Sequence, residues 1–278
     1  VNDTISGDGH ERLVIGDHTV NVRQDGPVDA PTLVLVHGFA GSLHVWDGLV
    51  PRFAAQRRVV RVDLAGHGET TGPTVDAPEQ ARLLLAVLDQ LDLRKVTLIG
   101  HSFGSDVVAA TAAISDRVAA VGLLAQAPDY SSAHFPTGGV LMTLPVLGSF
   151  LHRFAPPSAV RRTGAWAYAP GFHPSQEVSD QAVADNMAMD AFMFRIILRT
   201  RRARLAGHPL DEQLANLKVP TMAVLGAQDR FYGDRPAARY RASGARVEVI
   251  AHSGHSPHVE APELTGRLIE ELADQVRS

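Results

Sequence analysis

Four short apolar runs constrain this chain more than any other feature: TLVLV at 32–36, RVVRVDL at 58–64, VTLI at 96–99 and VAAVGLLA at 118–125. Each has the length of a strand, and their near-continuous apolar character suits a sheet covered on both faces. Between the second and third, Ala81, Leu84, Leu85, Leu88 and Leu91 recur at helical spacing. The pattern resumes with TMAVL at 221–225 and RVEVI at 246–250. Pro262 then opens a helix with Leu264, Leu268, Leu272 and Val276 on one stripe. Ahead of the alternation, RLVI (12–15) and TVNVR (19–23) flank Gly16-Asp17, a pair suited to a tight hairpin. Alternation of this kind predicts an α/β architecture with a mostly parallel, doubly wound sheet. With 278 residues, the chain has room for one large domain or for a domain with an insertion.

Residues 130–211 differ in kind. Helical segments broken by Pro and Gly, with Met, Phe, Trp and Tyr scattered among them, predict an inserted helical cap. Residues 1–129 and 212–278 would then form the core. The apolar piece at 140–151 is too short to span a membrane, and Pro145 and Gly148 weaken a continuous helix, so a core or pocket-lining role is expected.

Composition removes several classes of function. There are no cysteines, which rules out disulfides, thiolate catalysis and Cys-based zinc sites. A net charge of −4, with no basic face or acidic tail, argues against nucleic acid and anionic membranes as main partners. Only Lys95 and Lys218 are lysines, a compositional bias toward arginine. Asn2-Asp3-Thr4 matches a glycosylation sequon, a triplet common by chance. A cytoplasmic location is favoured, although a leader could precede Val1; oligomeric state is not written in the sequence.

Gly100-His101-Ser102-Phe103-Gly104 directly follows the third of the four runs and precedes small and apolar residues suited to a helix. This is the G-x-S-x-G pattern in its required context, strand before and helix after. A sharp strand-to-helix turn lifts the serine hydroxyl out of the sheet, and the helix N-terminus turns its amides toward developing negative charge. A bland alternative is a glycine-rich connection whose serine merely caps the helix.

Four further segments make the chain resemble the α/β-hydrolases of the serine esterase, lipase and C–C hydrolase kind over nearly its full length. LVLVHGFAGS (33–42) is similar to the family's His-Gly oxyanion loop, and VDLAGHGET (62–70) to its Asp-x-x-Gly-x-Gly segment. VLGAQDRF (224–231) resembles the strand-end acid loop, and SGHSPHVEAPE (253–263) the terminal histidine loop. The chain departs from the pattern at Ser105, where glycine is usual, and at Ala65, where proline is frequent. The cap carries no motif that assigns a subfamily.

The resemblance implies a triad of Ser102 as nucleophile, His255 as base and Asp229 as the acid that orients it. It also implies an oxyanion hole from the backbone N–H groups of Phe39 and Phe103. His258 competes as base and Asp129 as acid, whereas Asp63 is expected to be structural. Gly38, His101, Trp166, Tyr168, Phe192 and Phe194 are candidate substrate contacts, and Trp46 is expected in the core. His252, His255, His258 and Glu260 could be drawn as a metal cluster, but their spacing does not show convergence, so neither metal nor cofactor is expected. The run Arg195, Arg199, Arg201, Arg202 and Arg204 reads as a solvated helix face, with an anion site as the alternative. Three functions fit: hydrolysis of an ester or lactone of a small to medium apolar molecule, C–C hydrolysis of a vinylogous keto acid, or a ligand receptor on the same fold.

Overall fold

A computed structural model describes residues 9–135 and 141–276; the Asn2-Asp3-Thr4 sequon lies outside them. Among the described residues eight strands form one sheet: β1 (His10–Ile15), β2 (His18–Asp25), β3 (Thr32–Val36), β4 (Arg58–Val62), β5 (Val96–His101), β6 (Val118–Leu124), β7 (Thr221–Gly226) and β8 (Arg246–Ile250). Their order is β1-β2-β4-β3-β5-β6-β7-β8. The first two strands form an antiparallel hairpin, with Ile15 opposite His18 across Gly16-Asp17, and β2 runs antiparallel to β4. All remaining pairings are parallel. Parallel neighbours need crossovers, which the chain supplies as α1 (Val50–Ala54), α2 (Ala77–Gln90), α3 (Phe103–Ala113) and the segments beyond β6.

Alternate residues of each central strand enter opposite cores. Val34, Val36, Leu98, Val121 and Leu123 face α2 and α3, while Leu33, Leu35, Ile99, Ala120 and Val224 face Trp46, Phe53 and the last helix. Trp46 is fully buried, as expected of a core aromatic. Two apolar patterns depart from expectation at the periphery. RVEVI forms an edge strand with only Ile250 buried, because no neighbour lies beyond it. In β4, Arg61 is buried and its guanidinium reaches Asp25 and Asp47, so this run is not purely apolar.

Between β6 and β7 the chain is helical: α4 (Pro145–Arg153), α5 (Pro157–Gly164), α6 (Gln176–Ala188), α7 (Phe192–Arg195), a π-turn at Ile196–Thr200, α8 (Arg201–Gly207) and α9 (Leu210–Ala215). After β7 come α10 (Ala237–Ala242), α11 (Pro257–Glu260) and α12 (Pro262–Asp274). The inward stripe of α12 is Thr265, Leu268, Ile269, Leu272 and Ala273, with Val276 packed against the same core; of the predicted stripe only Leu264 is exposed. The 140–151 piece is also corrected. Residue 140 lies outside the described residues, and Val146, Leu147, Phe150 and Leu151 are exposed rather than core. Met142, Leu144, Pro145 and Ser149 do line a cavity of about 210 Å³ with Phe192 and Arg195. No helix among the described residues is long and apolar enough to cross a membrane.

Candidate active site

The carboxyl ends of β3, β5, β7 and β8 lie along one edge of the sheet, where ligands bind in open parallel sheets. Ser102 sits there as N-cap of α3 with φ 47° and ψ −118°, a left-handed backbone that a non-glycine residue adopts only under constraint. Close packing imposes it. A Cβ on Gly104 would lie 2.4 Å from the His37 carbonyl oxygen, so only glycine lets α3 sit this close to β3. Ser105 keeps that packing because its small hydroxyl donates to the Gly100 carbonyl at 2.8 Å.

The Ser102 side chain makes no cap hydrogen bond, which removes the bland capping alternative. Its Oγ lies instead 2.9 Å from Nε2 of His255, and Nδ1 of His255 lies 2.7 Å from Oδ2 of Asp229. Residues 153 and 26 positions apart in sequence thus form one continuous relay. Both His255 and Asp229 are buried. The remaining oxygen of Asp229, Oδ1, accepts from the amides of Phe231 (2.7 Å) and Tyr232 (3.3 Å), which fixes the carboxylate's orientation.

The segment matching the family described as alpha/beta hydrolase fold spans residues 31–262 and contains every residue of that relay. The chain belongs to the α/β hydrolase fold family. This hydrolase is 38% identical over 270 residues to a Pseudomonas putida protein named dihydrolipoyllysine-residue acetyltransferase component of acetoin cleaving system, covering 94% of this chain and 68% of that one. Its fold is similar to an enol-lactonase from Burkholderia xenovorans LB400, with a TM-score of 0.79 at 19% identity over 95% of this chain and 100% of that chain. It is also similar to carboxylesterase CesB (YbfK) from Bacillus subtilis, with a TM-score of 0.75 at 19% identity over 95% and 90% of the two chains. At such identities the two structures show a shared fold.

The other expected residues of the hydrolase divide into those near the relay and those turned away. Gly38 packs so tightly that an added Cβ would lie 2.9 Å from Cβ of Ser102, and Phe39 follows it. Phe194 stands edge-on to Phe39, ring centroids 5.1 Å apart. Trp166 reaches Phe231 at 6.3 Å, and Phe231 lies against His255 at 4.8 Å. Phe192 is exposed on the cap cavity and Tyr168 packs on Phe172, so neither ring meets the relay. His101 is turned beneath the histidine loop: its Nε2 donates to the His255 carbonyl at 2.7 Å, which makes it a support rather than a substrate contact.

The competing assignments resolve on geometry. Asp129 pairs with Arg239 at 2.6 Å and does not meet His255. His258 is buried between Trp46 and His101, with ring centroids 4.9 and 4.4 Å away. Burial, and then the neighbouring His255, push its pKa down to about 3, so the ring is a weak base, and the nitrogen that meets Ser102 is that of His255. Asp63 accepts from the Leu43 amide, the Asn21 side chain and the Glu69 amide, a structural role as expected.

Two residues gained roles that sequence patterns did not show. Oε2 of Glu260 accepts from the Gly254 amide (2.8 Å) and the Ser256 amide (3.1 Å), and Oε1 accepts from the Ala169 amide (2.6 Å). The carboxylate drawn above as a metal ligand is therefore a clamp on both sides of His255. Among the described residues no three His, Asp or Glu side chains are grouped to hold a metal ion. His37 is buried, its Nδ1 donating to the Gly38 carbonyl (2.8 Å) while Nε2 accepts from the Leu64 amide (3.0 Å). It joins the loops after β3 and β4 and pins the backbone beside Phe39.

The arginine run is corrected too. Arg201 and Arg204 are not on a solvated face: Arg201 is 1% exposed, and both bind the buried carboxylate of Asp106. Arg195, Arg199 and Arg202 are exposed.

Proposed function

We propose that this hydrolase cleaves a carboxylic ester or lactone of a small to medium apolar molecule through an acyl-enzyme on Ser102. The observation that carries the reading is the Ser102–His255–Asp229 relay, with both spacings at hydrogen-bond length and the serine on a strained turn at a helix N-terminus. With Nδ1–H of His255 donating to Asp229, Nε2 accepts from the Ser102 hydroxyl. Oγ attacks the acyl carbon as its proton passes to Nε2, and the carbonyl oxygen becomes an oxyanion. The amides of Phe39 and Phe103 are the donors for it. The first follows a loop pinned by His37 and the second opens α3, where an N-terminal amide has no helical partner. Collapse of the intermediate breaks the bond to the leaving oxygen, which takes the proton from Nε2. In a lactone that oxygen stays attached to the acyl group. Water then gives a proton to Nε2 and attacks the acyl carbon, and the proton returns to Oγ as the acid departs. No step needs a cofactor.

Residues 130–211 are read as the cap that shapes the acyl site, supported by the apolar rings it brings to Phe39 and Phe231. The name of the Pseudomonas putida relative, an acetyltransferase component, describes acyl chemistry and agrees with this reading. C–C hydrolysis of a keto acid would draw on cap arginines, and two of them are bound to Asp106. The test is turnover of p-nitrophenyl esters with covalent capture by a fluorophosphonate. Wild-type protein should hydrolyse the esters and gain one adduct on Ser102, and folded Ser102→Ala should lose both. Turnover that survives Ser102→Ala would refute the mechanism, and wild-type protein that neither turns over nor labels would support a receptor.

A further inference from the structure

Asp106 lies in the first turn of α3, one turn beyond Ser102, and its carboxylate is 0% exposed. Three side chains converge on it from elements distant in sequence. Arg201, 95 residues away, donates its Nε to both oxygens at 3.0 Å; Arg204 donates to Oδ1 at 2.8 Å; Gln126, just after β6, donates to Oδ2 at 3.1 Å. Arg204 also reaches Asp76 at 3.4 Å, and the Arg201 guanidinium rests 4.8 Å from the ring centre of Tyr130. Both arginines belong to the cap, so a buried charge cluster joins the helix that carries the nucleophile to the helix that covers it.

That cap helix has a further irregularity. From Phe192 to Gly207 it is continuous except for the π-turn at Ile196–Thr200, a feature found mostly as an isolated insertion and frequently at functional sites. Within the π-turn the Ile197 carbonyl accepts from the Tyr130 hydroxyl, so Tyr130 touches both the turn and Arg201. One turn before, Phe194 lies edge-on to Phe39 and against His152 at 5.6 Å. One end of this helix is bolted under the nucleophile, and the other places an aromatic ring beside the loop proposed as half of the oxyanion hole.

A buried ion pair adds little stability over an apolar pair of equal volume, but it tolerates only one arrangement, since any slip leaves a bare charge. Arg201 meets Asp106 through one N–H, Nε, shared between both oxygens, and Arg204 adds a second donor, so the cluster closes only when helix and carboxylate meet at this angle. We propose that Arg201 is a positioning residue: through Asp106 it fixes the register of the cap helix so that Phe194 forms the wall against which the acyl chain of the substrate lies. The inference rests on the acyl-enzyme reading above and deepens it, because it assigns acyl-chain selection to a residue that does not touch the substrate. Short acyl groups stop before the wall and do not sense it; longer ones do.

The experiment compares p-nitrophenyl acetate with p-nitrophenyl octanoate on wild-type protein, Arg201→Lys, and the charge-free pair Asp106→Asn with Arg201→Met. The double variant removes the Asp106 and Arg201 charges together and leaves Arg204 its pairing with Asp76, and its fold is checked by its thermal melt. The expected result is acetate turnover within about threefold of wild type. For octanoate, kcat/KM should fall about a hundredfold in the double variant, mainly through KM, the order of loss that misplacement by an ångström produces. Arg201→Lys, which keeps the charge but loses the planar group that sets Nε between both oxygens and rests on Tyr130, should fall about tenfold on octanoate. An unchanged octanoate-to-acetate ratio in the folded double variant overturns the proposal, as does an equal loss on both esters through kcat. Turnover that survives Ser102→Ala defeats the acyl-enzyme reading and this inference with it. A dead Ser102→Ala with an unchanged ratio defeats the inference alone.

Discussion

Replacing Glu260 by Gln tests whether the histidine loop is held by a carboxylate clamp. The side chain receives three backbone N–H bonds, from Gly254 and Ser256 on Oε2 and from Ala169 on Oε1, with the Ser253 hydroxyl at 3.3 Å as a fourth, weaker donor. A carboxamide has one oxygen. Placed at the Oε2 position, it keeps the two bonds beside His255 but turns its NH₂ against the Ala169 N–H, donor against donor. The bond lost there is charge-assisted and worth about 1.5–3 kcal/mol. The two that survive become neutral and lose roughly half their strength, so the total cost is about 3–6 kcal/mol. For a chain of this size that lowers Tm by roughly 5–12 °C. Gly254 adjoins His255, so the imidazole should lose its alignment, and kcat should fall by about ten- to a hundredfold. Differential scanning calorimetry and steady-state ester hydrolysis measure both quantities on one sample. A melt within about 1 °C of wild type together with kcat within about twofold would refute the clamp, since neither the lost bond nor the loosened loop would then exist.

Two further predictions address the relay and the buried histidines. In Asp229→Asn the amide oxygen is held at the Oδ1 site by the Phe231 and Tyr232 amides, which forces the NH₂ toward His255 Nδ1. That selects the wrong tautomer, and kcat should drop by about ten-thousandfold with little change in Tm, as measured by ester hydrolysis and thermal melts. His258 tests acid stability: its folded value is pushed down to about 3 by burial and then by His255, below the ordinary unfolded value of about 6.5. The unfolded chain therefore binds the proton first, and stability is lost as pH falls below about 6.5 toward the folded value, by about 2 kcal/mol at pH 5 from this residue. His258→Phe keeps a ring against Trp46 and His101 and should flatten that acid limb in urea melts between pH 7 and pH 5. An acid limb unchanged in slope would show that His258 does not supply it.

Much of the fold and the relay could be read in the sequence because both rest on local chemistry. Strand and helix follow from the spacing of apolar residues along one stretch, and the elbow follows from glycines that must flank a strained turn. Hence β3 to β8, the hairpin at Gly16-Asp17 and the Ser, Asp, His order were legible, whereas Leu264, the edge strand at 246–250, the apolar piece at 140–151 and the buried Arg201 were misjudged. Which histidine of 13 meets the serine was a different matter, resting on resemblance until the loop after β8 was seen to reach Ser102. Tertiary structure alone decided that Glu260 grips backbone amides on both sides of His255, that His101 turns under the loop, and that the apolar residues of α4 face outward. It alone joined Asp106 to Arg201. The physical reason is common to all four. A side chain's partner across the fold leaves no mark on its own neighbours in the sequence, whereas its backbone period and strain do.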